Sequence, residues 1–120
     1  MAVRAVRGAV QLEADDRDTL IASVSELLTE ILDRNAITVD DLISVLFTAT
    51  PDLRAEFPAL AARKLGITDV PLLCAQEIEV AGAMPRVVRV LAHLETDRPR
   101  SEISHVYLGA AAYLRKDIAQ

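Results

Sequence analysis

One long amphipathic segment constrains the fold of this chain more than any other feature. Its apolar residues recur at three- and four-residue spacing, and they are Leu20, Ile21, Val24, Leu27, Leu28, Ile31 and Leu32. Acidic residues precede this run and Asn35 follows it, as expected for the two ends of a helix. The pattern predicts one amphipathic helix of about five turns. A single helix of this length can cover only part of a sheet, so other apolar surface must be buried elsewhere.

Short apolar segments rich in β-branched residues supply the other elements. They predict strands at residues 2–10, 43–48, 72–80, 87–94 and 105–108. Thr38 and Asp41 form a capping box that opens a short helical turn, and Pro58 begins a short helix that Gly66 closes. Residues 113–120 are expected to form a tail. This order predicts a single α+β domain of 120 residues, with two layers and a mixed five-stranded sheet.

The strand at residues 87–94 is apolar at almost every position, which is typical of burial on both faces. Because one long helix covers only one face, we expect an oligomer in which sheets pack together. Arg89 lies inside this apolar run. An unpaired buried guanidinium is costly, so Arg89 must have a partner, either a carboxylate of the protein or an anionic ligand.

Two further polar residues are candidates for a binding site. Arg7 closes the first strand just before Gly8, where a backbone can approach a ligand closely, although an exposed charge at a strand end would look the same. Glu77 lies on the same predicted strand face as Leu73 and Ala75. Its carboxylate is expected to accept a hydrogen bond from a substrate hydroxyl or to pair with one of the arginines.

The composition excludes several function classes. A net charge of −5 argues against a nucleic-acid surface. Cys74 is the only cysteine, so an intramolecular disulfide and a cysteine-based zinc cage are both excluded. His93 and His105 lack the spacing of metal ligands, and no metal site is expected. No apolar run approaches the roughly 20 residues of a membrane span, so we expect a cytoplasmic protein.

The basic residues are unusually biased. Lys64 and Lys116 are the only lysines among 13 basic residues, and the others are arginines. Arginine offers a planar fork that binds carboxylates and phosphates, although a GC-rich genome would produce the same bias. Without a plausible nucleophile–base pair, these residues suit a reaction catalysed by orientation and charge stabilisation of a small anion.

One set of motifs is distributed over most of the chain. The most informative is the segment 48–53, Thr-Ala-Thr-Pro-Asp-Leu, which is followed by Phe-Pro-Ala at 57–59. The other motifs lie at residues 4–9, 70–71, 74–77, 89–90, 105–108 and 114–117. In sequence and order these motifs resemble the monofunctional chorismate mutases of the trimeric pseudo-α/β-barrel class, and the resemblance covers about residues 2–117, nearly the whole chain.

This resemblance implies a homotrimer with active sites at the subunit interfaces. The implied reaction converts chorismate to prephenate by a pericyclic rearrangement, without a cofactor. Arg89 would bond the ether oxygen, Arg7 a carboxylate and Glu77 the ring hydroxyl. The implied substrate-binding residues are Phe57, Ala59, Arg63, Leu73, Cys74, Tyr107 and Arg115, of which Phe57, Ala59, Arg63 and Leu73 would come from the neighbouring subunit.

Two features of the sequence do not fit this pattern simply. In a regular strand Cys74 and Glu77 point to opposite faces, so they meet one ligand only through a bulge or in different subunits' sites. Leu60 stands where some members are expected to have a basic residue. Two alternatives remain, a trimeric imine deaminase-like enzyme and a non-catalytic trimer that binds a metabolite of aromatic biosynthesis.

Overall fold

The computed structural model describes residues 1–115, with the backbone but not the side chain of Arg115. These residues form seven main elements: β1 (Ala2–Gln11), α1 (Arg17–Arg34), β2 (Leu42–Ala49), α2 (Pro58–Lys64), β3 (Leu72–Gln76), β4 (Val87–Thr96) and β5 (Val106–Leu108). Short 3-10 helices occur at Val39–Asp41, Arg100–Glu102 and Gly109–Arg115. One long helix and one short helix therefore accompany five strands, as predicted.

The strands form one mixed sheet in the order β3-β2-β4-β1-β5. The central strand β4 is antiparallel to both β1 and β2. The outer pairs, β1 with β5 and β2 with β3, are parallel. This topology confirms the predicted α+β class and its mixed five-stranded sheet.

Helix α1 begins and ends where its sequence signals predict. The Asp16 carboxylate accepts hydrogen bonds from the backbone N–H and the hydroxyl of Thr19, both at 2.8 Å, and so caps the first turn. At the other end the buried Asn35 amide donates to the carbonyls of Ile31 and Ser104 and accepts from the Ser104 N–H. Asn35 thus ties the end of the helix to the segment that leads into β5.

Both helices pack on the same face of the sheet, and the main hydrophobic core lies between these two layers. Helix α1 contributes a buried stripe, and the strands contribute alternate residues such as Val6, Val90 and Val106. Gly8 belongs to this face as well. A Cβ there would lie 3.0 Å from Ile31 Cδ1, so the glycine allows α1 to pack closely on β1.

Two sequence predictions for the ends of elements were wrong. Strand β3 ends at Gln76 instead of continuing to residue 80. It is an edge strand paired with β2 alone, and after the bond from the Glu77 N–H to the Ala49 carbonyl it has no partner strand. Residues 109–115 form a 3-10 helix where a tail was expected from residue 113, and residues 116–120 lie outside the described part.

The sheet face opposite α1 and α2, here called the open face, is only partly covered. The 3-10 helix Gly109–Arg115 covers one end, where Ala111 is buried against Ala9, Val87 and Tyr107. Elsewhere Val3 is 59% exposed and Leu73 is 60% exposed. On this face Arg89 and the next outward residues of β4 are half-buried, so burial on both faces is incomplete within one chain.

Candidate active site

A cavity of about 410 Å³ opens on the open face near its centre. Its polar lining comes from Arg7, Thr48, Arg89 and Tyr107, and Leu46 and Leu91 are among its apolar walls. Among the sequence-predicted site residues, this cavity therefore brings together Arg7, Arg89 and Tyr107.

The register of the sheet explains how these side chains meet. Residues paired directly across neighbouring strands point to the same face. Ala75, Thr48, Arg89, Ala9 and Tyr107 are paired in turn, so they form one row across all five strands. On the open face, Arg89 therefore lies between Thr48 of β2 and the buried Tyr107 of β5.

Arg89 has a protein carboxylate as its partner. Its Nε donates to both carboxylate oxygens of Glu77, at 3.1 and 3.3 Å. The Thr48 hydroxyl donates to Glu77 Oε2 at 2.7 Å, so one carboxylate joins the two neighbouring side chains. Within residues 1–115 the Arg89 Nη1 and Nη2 atoms make no hydrogen bond, and their N–H groups remain for a ligand.

Arg7 is held through its backbone, while its side chain is exposed on the open face. The Arg7 N–H donates to Nδ1 of His105 at 3.0 Å, just before the register in which Gly8 pairs with Val106. The imidazole of His105 thus extends the β1–β5 pairing by one residue. Sequence reasoning missed this role, although His105 directly precedes the β5 segment.

The loop that follows β2, residues 50–52 and here called the clamp loop, fixes the start of β4 through side-chain hydrogen bonds. Thr50 donates its hydroxyl hydrogen to Asp52 and accepts the Val87 N–H, and Asp52 also accepts the Arg86 N–H. Burial raises the pKa of Asp52, but the hydrogen bonds from Thr50 and Arg86 outweigh it and hold this pKa below its usual value. The clamp loop fixes Arg86, which has a φ of +53°, at the start of β4. It thereby anchors the end of the loop that connects Glu77 to Arg89.

The remaining predicted residues lie away from this cavity. Phe57 is 67% exposed and lines, with the half-buried Cys74, a separate cavity of about 350 Å³ beside the clamp loop. Arg63 is exposed on α2, Leu73 is exposed on β3, and Ala59 is buried in the core. The side chain of Arg115 lies outside the described part of the chain.

Cys74 and Glu77 do not meet in one chain. Strand β3 pairs with β2 in continuous register without a bulge, and Cys74 packs against the core on the helix side. Glu77 reaches the open face, where it contacts Thr48 and Arg89. The first of the two explanations offered for this pair, a bulge in the strand, is therefore wrong.

The fold and the cavity define a class of protein in which a mixed five-stranded sheet carries a cavity lined by two arginines, one of them held by a carboxylate. Among the described residues no cluster of histidine, cysteine and carboxylate side chains could hold a metal ion. None of the helices within residues 1–115 is long and apolar enough to cross a membrane.

Comparison with known proteins identifies the family within this class. The sequence profile of chorismate mutase type I matches residues 3–118, and the chain belongs to this family. It is 45% identical over 117 residues to chorismate mutase AroH of Thermus thermophilus, covering 97% of this chain and 96% of that protein. It is 38% identical over 120 residues to chorismate mutase AroH of Bacillus subtilis (strain 168), covering 99% and 94% respectively.

A solved structure supports the same assignment. The chorismate mutase Cth-682 from Clostridium thermocellum superposes with a TM-score of 0.90 at 41% sequence identity. The match covers 92% of this chain and 98% of that one. The α+β fold of the single chain is therefore also the fold of a known chorismate mutase.

Proposed function

We propose that this chain is a chorismate mutase, an isomerase of aromatic amino-acid biosynthesis that converts chorismate to prephenate. The observation that carries the proposal is the orientation of Arg89 in a member of the type I family. Glu77 holds its Nε, while Nη1 and Nη2 have no bond to the described residues and are available at the cavity. A fixed donor of this kind stabilises an oxygen on which negative charge develops.

The chemistry fits Arg7, Arg89 and Tyr107, which line the cavity, and Glu77, which is bonded to Arg89 beside it. The rearrangement breaks one C–O bond and forms one C–C bond in a single concerted step, so no general base, nucleophile or cofactor is needed. Arg89 donates to the ether oxygen as negative charge builds up there, and Arg7 binds a substrate carboxylate. Glu77 accepts a hydrogen bond from the ring hydroxyl, and Tyr107 supports the carboxylate end. Binding chorismate in its reactive conformation supplies the rest of the rate enhancement.

We also propose that three copies form a pseudo-α/β barrel by packing their open faces together. The incompletely buried face of β4 and the exposed Val3 and Leu73 support this assembly. In the trimer, Phe57, Ala59, Arg63 and Leu73 contribute to the site of the neighbouring subunit. Because Ala59 is buried, it acts by setting the position of α2.

Four further parts of the proposal concern Cys74, Arg115, position 60 and the location of the protein. Cys74 serves a different subunit's site from Glu77, which is supported by their opposite directions within one chain. Arg115 closes the site over bound substrate. Leu60, half-buried on α2, leaves the site without a basic residue at that position. The lone cysteine fits a reducing cytoplasm.

The direct test is the loss of chorismate absorbance on addition of purified protein. We expect first-order decay proportional to enzyme concentration, with prephenate as the only product. If micromolar protein does not accelerate the decay, the proposed activity is wrong. Light scattering tests the assembly, for which the expected mass is about three times the 13.0 kDa chain.

The two alternatives are tested with the same preparation. Turnover of imine substrates would favour the deaminase, and tight prephenate binding without turnover would favour the metabolite-binding trimer. Neither alternative gains support from the family match, which lies with chorismate mutase type I over residues 3–118.

A further inference from the structure

Glu77 lies at a position where the backbone alone gives little control over its side chain. It follows the last residue of the edge strand β3 and begins the exposed loop that leads to β4. Its N–H bond to the Ala49 carbonyl, at 2.9 Å, fixes the backbone but leaves the side-chain torsions free. The direction of the carboxylate must therefore be set by side-chain partners.

Thr48 and Arg89 are those partners. The Thr48 hydroxyl lies 2.7 Å from Glu77 Oε2, and the same oxygen lies 3.1 Å from Arg89 Nε. Thr48 is paired directly with Arg89 across β2 and β4, so its hydroxyl has a defined position beside the guanidinium. As a β-branched residue in a strand, Thr48 also has few side-chain conformations to lose.

We infer that Thr48 is a positioning residue for the reaction, an inference that rests on the proposed function. Without the Thr48 hydroxyl, the Glu77 carboxylate is free to rotate toward the terminal nitrogens of Arg89, where a bidentate pair is favoured. That pair would occupy Nη1 and Nη2, the donors proposed for the ether oxygen. Thr48 thus keeps Glu77 on the Nε side and leaves the reactive side of Arg89 open.

The test compares variants that remove or keep the hydroxyl. Thr48→Val preserves shape and β-branching, and we expect kcat to fall about tenfold, the scale of one hydrogen bond to a charged group, with a smaller change in KM. Thr48→Ala, a second variant without the hydroxyl, should lose a similar factor. Thr48→Ser should restore kcat to within about threefold of the unmodified enzyme, since it retains the donor.

A double-mutant cycle distinguishes positioning from a general structural role. If Thr48 acts through Glu77, then Thr48→Val should change kcat by less than about twofold in a Glu77→Ala background. The matched control is Thr96→Val, at the far end of β4, where the buried hydroxyl accepts the Arg98 N–H instead of contacting the cavity. This control should leave kcat and KM unchanged.

The outcomes separate this inference from the proposed function. If the unmodified protein does not convert chorismate, the proposed function fails. If it does, but Thr48→Val and Thr48→Ala keep full kcat, only the positioning role of Thr48 is refuted. The positioning role is also refuted if Thr48→Val lowers kcat by the same factor with Glu77 present and in the Glu77→Ala background. The effect of Thr48 would then not depend on Glu77.

Discussion

Replacement of Arg89 by alanine tests the central contact of the proposed mechanism. In the proposed mechanism Nη1 and Nη2 of this side chain donate to the ether oxygen, while Nε is occupied by Glu77. Losing one oriented donor to a developing oxyanion costs about 3 kcal/mol, which corresponds to at least about 100-fold in kcat. The substitution also leaves the Glu77 carboxylate without its cation, beside a dianionic substrate. We therefore expect kcat of Arg89→Ala to fall by more than about 100-fold.

The structure also predicts how two milder substitutions at this position behave. Arg89→Lys keeps the charge, but a single ammonium cannot hold Glu77 and the ether oxygen in the same planar geometry. Its kcat should therefore remain close to that of Arg89→Ala. Citrulline at position 89 keeps the shape and removes the charge, so it measures the contribution of charge itself.

The assay is the initial rate of chorismate loss, with kcat and KM determined separately. The matched control is Arg34→Ala, which removes an arginine that pairs with Glu30 at 2.7 Å along α1. This pair lies on the helix, and its loss should leave kcat unchanged. If Arg89→Ala retains most of its kcat, the role assigned to Arg89 is refuted.

Three further predictions address pH, folding and packing. Because the proposed mechanism involves no proton transfer, kcat should be nearly constant from mildly acidic to mildly basic pH. The folded-state pKa of Asp52 is lowered, so its contribution to stability is complete above the unfolded value near 3.8 and is lost as pH falls through the folded value. The stability difference between the native chain and Asp52→Asn should therefore shrink below about pH 4. Gly8→Ala places a Cβ 3.1 Å from the Val106 backbone oxygen and should destabilise the protein by about 1–3 kcal/mol.

Each of these predictions has a direct measurement. A bell-shaped kcat profile centred near neutral pH would contradict the first. Urea unfolding from pH 7 to pH 2 tests the second, and a stability difference that is constant over this range would show that Asp52 titrates alike in both states. Urea unfolding at neutral pH tests the third, and an unchanged free energy of unfolding for Gly8→Ala would mean that β5 and α1 adapt without cost.

Local sequence signals were sufficient to predict the elements whose structure depends on contacts within one short segment. The periodicity of α1, with Asp16 and Asn35 at its ends, depends on contacts a few residues apart, and its bounds were predicted closely. The capping box at Thr38 was confirmed for the same reason. The requirement that Arg89 have a partner also followed from one short apolar run.

The apolar run around Arg89 does not identify the partner of its guanidinium. Glu77 was named as a candidate for an arginine or a hydroxyl, and only the fold shows that it holds Arg89 Nε while Thr48 holds Glu77. The signature segment 48–53 pointed to the family without revealing the tasks of its side chains. Thr48 and Asp52 were not assigned roles because their partners lie about 30 residues further along the chain, at 29 and 34 residues' separation.

The sequence alone determined most element types, the α+β class and the candidates for anion binding, because these depend on periodicity, capping and side-chain chemistry. The tertiary structure decided which residues share the site. The strand order β3-β2-β4-β1-β5 places Ala75, Thr48, Arg89, Ala9 and Tyr107 in one row. It also ended β3 at Gln76, because the strand has no partner beyond that point. Pairing between distant segments sets both results, and no local pattern in the chain encodes it.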